Sequence, residues 1–205
     1  MADRFSAEFD IVGPKETTLR LEYLGGREFQ VGRLIDFDRL VFSGHMRPTV
    51  GVMVGVETLV GSRMDFVNVQ LAEQHRVKPF VNWTVRKNVS LRVDSTYVDL
   101  DATDGQSILD ASLVDAQLNW QIEDRGAIHI ALQQQDIARN PAAYAISVDT
   151  HTKELGSKLA YSWNVNPRTK IQLGYADAFA DVNKIEALIE SRRNWFMNIG
   201  YMLGM

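Results

Sequence analysis

From Val114 to Ile122 apolar and polar residues alternate without a break. Val114, Ala116, Leu118, Trp120 and Ile122 fall on one side, and Asp115, Gln117, Asn119 and Gln121 on the other. A period of two predicts a strand with one apolar and one polar face. The same rhythm recurs. Leu155, Leu159, Tyr161, Trp163 and Val165 oppose Gly156, Lys158, Ala160, Ser162 and Asn164. Ile128, Ile130 and Leu132 oppose His129 and Gln133, and Ile171, Leu173 and Tyr175 oppose Lys170, Gln172 and Gly174. Val89, Leu91, Val93 and Tyr97 oppose Arg92, Asp94 and Thr96, and Trp195, Met197, Ile199, Tyr201 and Leu203 share a face near the end. A helical repeat fits none of these windows, because polar residues interrupt every stripe it could form.

The links between these segments alternate in length. Arg86–Asn88, Glu123–Gly126 and Asn164–Arg168 are short turn signals, whereas Asp99–Ser107, Arg139–Thr150 and Phe179–Arg193 are long. Short and long links in alternation predict an up-and-down antiparallel meander with turns at one end and loops at the other. Asn183 and Glu186 have capping-box spacing, and Ile185, Leu188 and Ile189 share a face, so a helical turn is expected in the last link. Residues 1–88 show a less regular pattern. Phe5–Val12, Thr17–Leu24, Glu28–Ile35, Leu40–Met46, the alternating valines of Val50–Val56, Met64–Gln74 and Val77–Val85 read as shorter strands, punctuated by Gly13-Pro14 and Gly25-Gly26. The expectation is one all-β domain over 1–205 with roughly 12 or 13 strands, most regular over 89–205.

Alternation does not say which face is inside. A soluble barrel buries its apolar face, and an outer-membrane barrel turns it to lipid. Three features favour lipid. The strands have the 9–11 residues that cross a hydrocarbon core at a tilt. Trp83, Trp120 and Trp163 each lie just before a short turn, as an interfacial girdle would, with Trp195 and Tyr144 nearer the loop end. The opposite face is amide-rich and charged, as suits a hydrated lumen. Candidate lumen-facing residues are Arg92, Asp94, Asp115, Gln117, Asn119, His129, Gln133 and Lys158, and candidate membrane-interface aromatics are Trp83, Trp120, Trp163 and Trp195.

Composition narrows the classes. The 205 residues are 45% hydrophobic and 23% charged, with 22 Lys and Arg against 26 Asp and Glu, giving a net charge of -4. No basic footprint for nucleic acid is present. The absence of cysteine excludes disulfides, thiolate metal sites and cysteine nucleophiles. No segment from Met1 onward resembles a signal-peptide apolar region, and no apolar run approaches the roughly 18 residues of a spanning helix. The four histidines, His45, His75, His129 and His151, lack ligand spacing. Asp99-Leu100-Asp101-Ala102-Thr103-Asp104-Gly105 departs from the calcium-loop pattern and reads as a hairpin loop. No catalytic residue, cofactor or metal is expected. The inward charges would either tune solute selectivity or fill the interior as satisfied pairs. Arg86, Lys87, Arg168 and Lys170, near turns, could meet lipid headgroups.

Several stretches resemble a bacterial family of large outer-membrane proteins, which carry a carbohydrate-binding-like (family nine) N-terminal domain and a C-terminal β-barrel domain of unknown function. These are Ser90-Leu91-Arg92 through Leu100-Asp101, Gly105, Leu113 to Trp120, Ile130 to Asp136, Leu159-Ala160-Tyr161-Ser162-Trp163, and Trp195-Phe196 to Tyr201. The most specific is Asn166-Pro167-Arg168-Thr169-Lys170-Ile171-Gln172-Leu173-Gly174-Tyr175, which resembles that family's penultimate hairpin. The resemblance covers Ser90 to Met205 and implies the C-terminal part of such a barrel, or a shortened relative, in the outer membrane of a Gram-negative bacterium. Its expected partners are membrane lipid or lipopolysaccharide, and carbohydrate through the N-terminal domain. The last residues, Leu203-Gly204-Met205, depart from the terminal aromatic usual for assembly. The expected role is a non-enzymatic anchor or passage. A soluble β-barrel or sandwich for a small apolar ligand and an outer-membrane hydrolase remain the competing readings.

Overall fold

The computed structural model describes residues 3–30, 32–65, 67–68, 70–182 and 189–202. They form one sheet of eleven antiparallel strands, each hydrogen-bonded to the next in chain order. The strands are β1 (Arg4–Gly13), β2 (Thr17–Gln30), β3 (Arg33–Thr49), β4 (Val52–Asp65), β5 (Gln70–Arg86), β6 (Val89–Ala102), β7 (Ser107–Gln121), β8 (Gly126–Arg139), β9 (His151–Asn166), β10 (Thr169–Val182) and β11 (Ile189–Tyr201). A single 3₁₀ turn, Pro141–Ala143, lies between β8 and β9. The all-β meander of the sequence pattern is the observed fold, and the sheet is open: among the described residues β1 and β11 each pair on one side only.

The N-terminal half differs from its expected form. Apart from β1, with 10 residues, its strands are as long as the others, with 17 residues in both β3 and β5. The described residues form eleven strands rather than 12 or 13. The stretch Glu28–Ile35 straddles a hairpin instead of forming a strand, and β2 runs straight through Gly25-Gly26. Gly26, at φ 149°, receives the chain end: Arg27 N–H donates to Asp3 O at 2.7 Å, and a Cβ on Gly26 would come within 2.0 Å of that oxygen. The glycine marks a close backbone approach, not a strand end. The stretch Met64–Gln74 is divided by Asp65, whose carboxylate accepts the N–H groups of Val67 and Asn68 (3.0 and 3.3 Å) and the Asn68 side-chain amide (2.6 Å). An Asx turn of this kind ends β4. Pro79 is accommodated inside β5 because the ladder to β6 lapses at Lys78 and Pro79 and resumes at Phe80–Asp94.

The last link is shorter than expected, because β10 reaches Val182 and β11 starts at Ile189. The helical turn expected at Asn183–Glu186 lies outside the described residues, and Ile189 already belongs to β11.

Directly opposed residues of paired strands project to the same face, so the register assigns the two faces. One face carries Phe9, Leu21, Phe42, Thr58, Val77, Tyr97 and their alternates, then Leu118, Ile130, Leu159, Tyr175 and Trp195. Its middle band is predominantly apolar across the eleven strands, with Thr58 as a polar member. The other carries the polar set. On β9 the small residues of the polar face are sheltered: Leu159 and Tyr161 are 50% and 43% exposed, whereas Ala160 and Ser162, their neighbours on the opposite face, are 0% and 4%. The longer polar side chains of that face, among them Arg92, Gln117, Asn119, Gln133 and Lys158, are exposed.

Candidate lumenal face

The eight candidate lumen-facing residues lie on the polar face, in register with one another. Arg92 opposes Gln117 and Asp94 opposes Asp115 across β6–β7. Asp115 opposes Gln133 and Asn119 opposes His129 across β7–β8. Lys158 on β9 faces Ala131 on β8. Two carboxylates directly opposed, as Asp94 and Asp115 are, repel each other. The structure offsets this with one partner for each. Arg92 binds Asp94 through Nε at 2.5 Å and Nη2 at 3.1 Å, and Gln117 Nε2 donates to Asp115 at 2.7 Å. On the N-terminal strands the same face holds Arg20 against Asp10 (2.9 Å) and Glu8 (3.1 Å), and Arg76 against Glu57 (2.7 Å).

His129 ties three strands together. Its Nδ1 lies 2.6 Å from Asn119 Oδ1 and its Nε2 lies 3.3 Å from Ser162 Oγ. With Nδ1 as donor, the ring accepts the serine hydroxyl. The atom order is that of an orienter, a base and a nucleophile, but Ser162 is 4% exposed. The backbone N–H groups around it belong to the β8–β9 and β9–β10 ladders, so none is aimed at a position where an oxyanion could form.

Toward the C-terminal edge the face becomes less acidic. Lys158 Nζ lies 5.2 Å from the centroid of the Phe196 ring, within cation–π range. Phe196 sits over Gly174, where a Cβ would come within 2.2 Å of its Cζ. Lys158, Lys170, Gln172, Gln117, Asn119 and His129 line one recess of about 390 Å³. Lys170 thus opens onto the polar face, not toward headgroups as its place beside a turn suggested. Its alternation opposite Ile171 and Leu173 already carried that signal. Phe196 could not be found the same way, since an aromatic among polar positions reads as an error in the alternation.

At the loop end the two faces exchange character. The inner face there is apolar: Ala72, Leu100 and Ile108 are buried, and Ala102, Leu109, Ala143 and Tyr144 pack against them. The outer face carries Asp136, bound to His151 at 2.7 Å and to Lys153 at 3.9 Å. Asn140 pins the β8–β9 loop inward, since its N–H donates to Ile108 O and its Nδ2 to Ser107 O, each at 3.0 Å. Burial raises the Tyr144 phenol above its ordinary pKa, and the charge of Asp65 adds to this while Arg139 opposes it. The segment from Asn140 to Tyr144 therefore reaches from β7 toward the end of β4. The stretch Asp99–Gly105, expected as a hairpin loop, is divided: Asp99–Ala102 completes β6 and the loop is residues 103–106, with Asp104 accepting Gln106 N–H at 3.1 Å and Gly105 N–H donating to Ala102 O at 2.8 Å. Among the described residues no cluster of His, Asp or Glu has metal-binding geometry.

Of the aromatics, Trp83, Trp120 and Trp163 each stand four residues before Lys87, Asp124 and Pro167 of their short turns, on the apolar face. Trp195 does not join that row or the loop end. It pairs with Tyr175 in mid-strand, with ring centroids 4.8 Å apart, and is 80% exposed.

The outer membrane channel DcaP of Acinetobacter baumannii superposes on this chain with a TM-score of 0.66 over 96% of it, at 13% identity. The fold is that of outer-membrane β-barrels. OmpT, an outer membrane protein of Vibrio cholerae, superposes with a TM-score of 0.57 over 95% of the chain at 8% identity, and its loop L8 deletion mutant with 0.59 over 96%. The chain spans 61% of the length of DcaP and 62% of OmpT. No protein-family model matches the sequence, and no curated protein does.

Proposed function

We propose that this chain forms part of the wall of a non-enzymatic passage through the Gram-negative outer membrane, with its apolar face against lipid and its polar face lining water. The observation that carries the reading is the division of faces. Large apolar side chains stand exposed on one face of all eleven strands, and ion pairs and amides occupy the other. A soluble barrel for an apolar ligand needs the reverse. The likeness to DcaP, a channel, supports the reading at the level of fold. The buried Ser162 supports a structural rather than hydrolytic role for the Asn119–His129–Ser162 chain. Lipid or lipopolysaccharide is the proposed partner of the apolar face. A link to carbohydrate, through a separate recognition domain, rests on the sequence resemblance alone.

The parity of the sheet bears on closure. In an eleven-strand meander β1 and β11 run in the same direction, so joining them directly would make a parallel seam, whereas bacterial single-chain barrels are antiparallel with even strand numbers. An odd number of further strands would close the wall. Reconstitution of the chain into planar bilayers tests the passage. Conductance by the assemblies that the chain forms through its open edges is the expected result, and lipid-bound protein that never conducts would overturn it. Hydrolysis of lipid or ester substrates that Ser162→Ala abolishes would instead establish an enzyme.

A further inference from the structure

We propose that the recess between β7 and β10 binds a small hydrophilic solute through its carboxylate, an inference that rests on the polar face being a passage and names the class of solute it favours. The charge distribution of that face is uneven. Across β1–β7 Arg20 pairs with Asp10 and Glu8, Arg76 with Glu57 and Arg92 with Asp94, while Arg39, Arg63 and Lys78 on that face form no ion pair among the described residues. Across β8–β11 the two lysines of the recess, Lys158 and Lys170, form no ion pair among the described residues. The nearest carboxylate on β7, Asp115, is occupied by Gln117 Nε2 at 2.7 Å. Glu154 lies opposite Gln135, further toward the loop end, and does not line the recess.

The rest of the lining suits a polyhydroxylated anion. Gln117, Gln172 and Asn119 offer amide donors and acceptors, and His129 is held by Asn119 and Ser162. Phe196, over Gly174, holds the Lys158 ammonium at the edge of the recess instead of letting it swing toward a carboxylate. An ammonium without a counter-ion attracts an anion, and a charge-assisted hydrogen bond to carboxylate satisfies it. At about 390 Å³ the recess accommodates one sugar-sized molecule.

The test compares glucuronate with glucose, which differ by the carboxylate, on the full chain folded in detergent micelles. Binding is followed by calorimetry or by saturation-transfer NMR. Glucuronate is expected to bind at least tenfold more tightly than glucose, to weaken severalfold at high salt, and to weaken tenfold or more in Lys158→Gln and Lys170→Gln. Lys153→Gln, on the opposite face, should leave it unchanged. Equal binding of the two sugars by the native chain would overturn the site without recourse to any variant. So would lysine variants that keep their β-sheet circular dichroism and their preference for glucuronate. In bilayers, a chain that conducts but shows no anion preference overturns this site and leaves the passage standing. Glucuronate binding by a chain that never conducts upholds the site and removes the passage.

Discussion

Gly174 and Phe196 are directly opposed across β10 and β11, and the ring occupies the space where any Cβ on residue 174 would stand, 2.2 Å from its Cζ. Gly174→Ala must therefore displace the ring, and with it the Lys158 ammonium. Overpacking of this kind costs about 1–3 kcal/mol. The expected result is a lower urea midpoint for Gly174→Ala, most of which Gly174→Ala combined with Phe196→Ala does not add to. Additive effects in that double-mutant cycle would show that the two positions do not meet.

Leu118, Ile130 and Leu159 stand side by side on neighbouring strands of the apolar face. Arginine at any one of them should reduce folding into lipid vesicles by roughly 2–4 kcal/mol near the midplane. Gln117→Arg and Gln133→Arg, on the polar face, should fold within about 1 kcal/mol of the native chain, as surface substitutions usually do. Urea titration in vesicles reads both sets. Equal tolerance, with a water-soluble product, would remove the membrane reading.

The meander and the membership of each face were legible in the sequence, because side-chain period is a local property. The expected alternation of short and long links was not met: β6 extends through Asp99–Ala102, so the link to β7 is only residues 103–106, no longer than the turn between β7 and β8. What was not legible depends on partners distant in sequence. Gly25-Gly26 looks like punctuation until Asp3 is seen to approach it, and Pro79 looks like a strand end until the β5–β6 ladder is seen to lapse beside it. The eight lumen-facing candidates share a face, yet their pairing into Arg92–Asp94 and Asn119–His129–Ser162 requires the register. Trp195 shows the opposite failing. Its period placed it on the apolar face correctly, but its height along the strand depended on the β10–β11 offset, which sets it beside Tyr175 and away from the row of Trp83, Trp120 and Trp163.

The open edges make a separate prediction. Unpaired N–H and C=O groups along β1 and β11 are costly in hydrocarbon and invite pairing with other chains. The 205-residue chain alone, purified in detergent, should associate through these edges and show no difference in gel migration before and after boiling. A sharply heat-modifiable monomer would mean that the edges close on themselves and that the parity argument fails.

Tyr144 gives the inward loop a pH dependence. Burial first, and then the charge of Asp65, hold its phenol above the ordinary value near 10, with Arg139 pulling the other way. A group whose folded pKa is raised contributes stability that is whole below the unfolded value and is lost as pH rises through the folded one. Docking of the Asn140–Tyr144 segment should therefore be insensitive to pH up to about 10 and weaken above it. Titration of tyrosinate absorbance should show one group ionising later than the exposed tyrosines, and Tyr144→Phe should abolish that late step. The same variant should keep the segment resistant to protease at pH values where the native chain becomes cleavable there. A native chain and a Tyr144→Phe variant that become cleavable at the same pH would show that the phenol does not hold the loop.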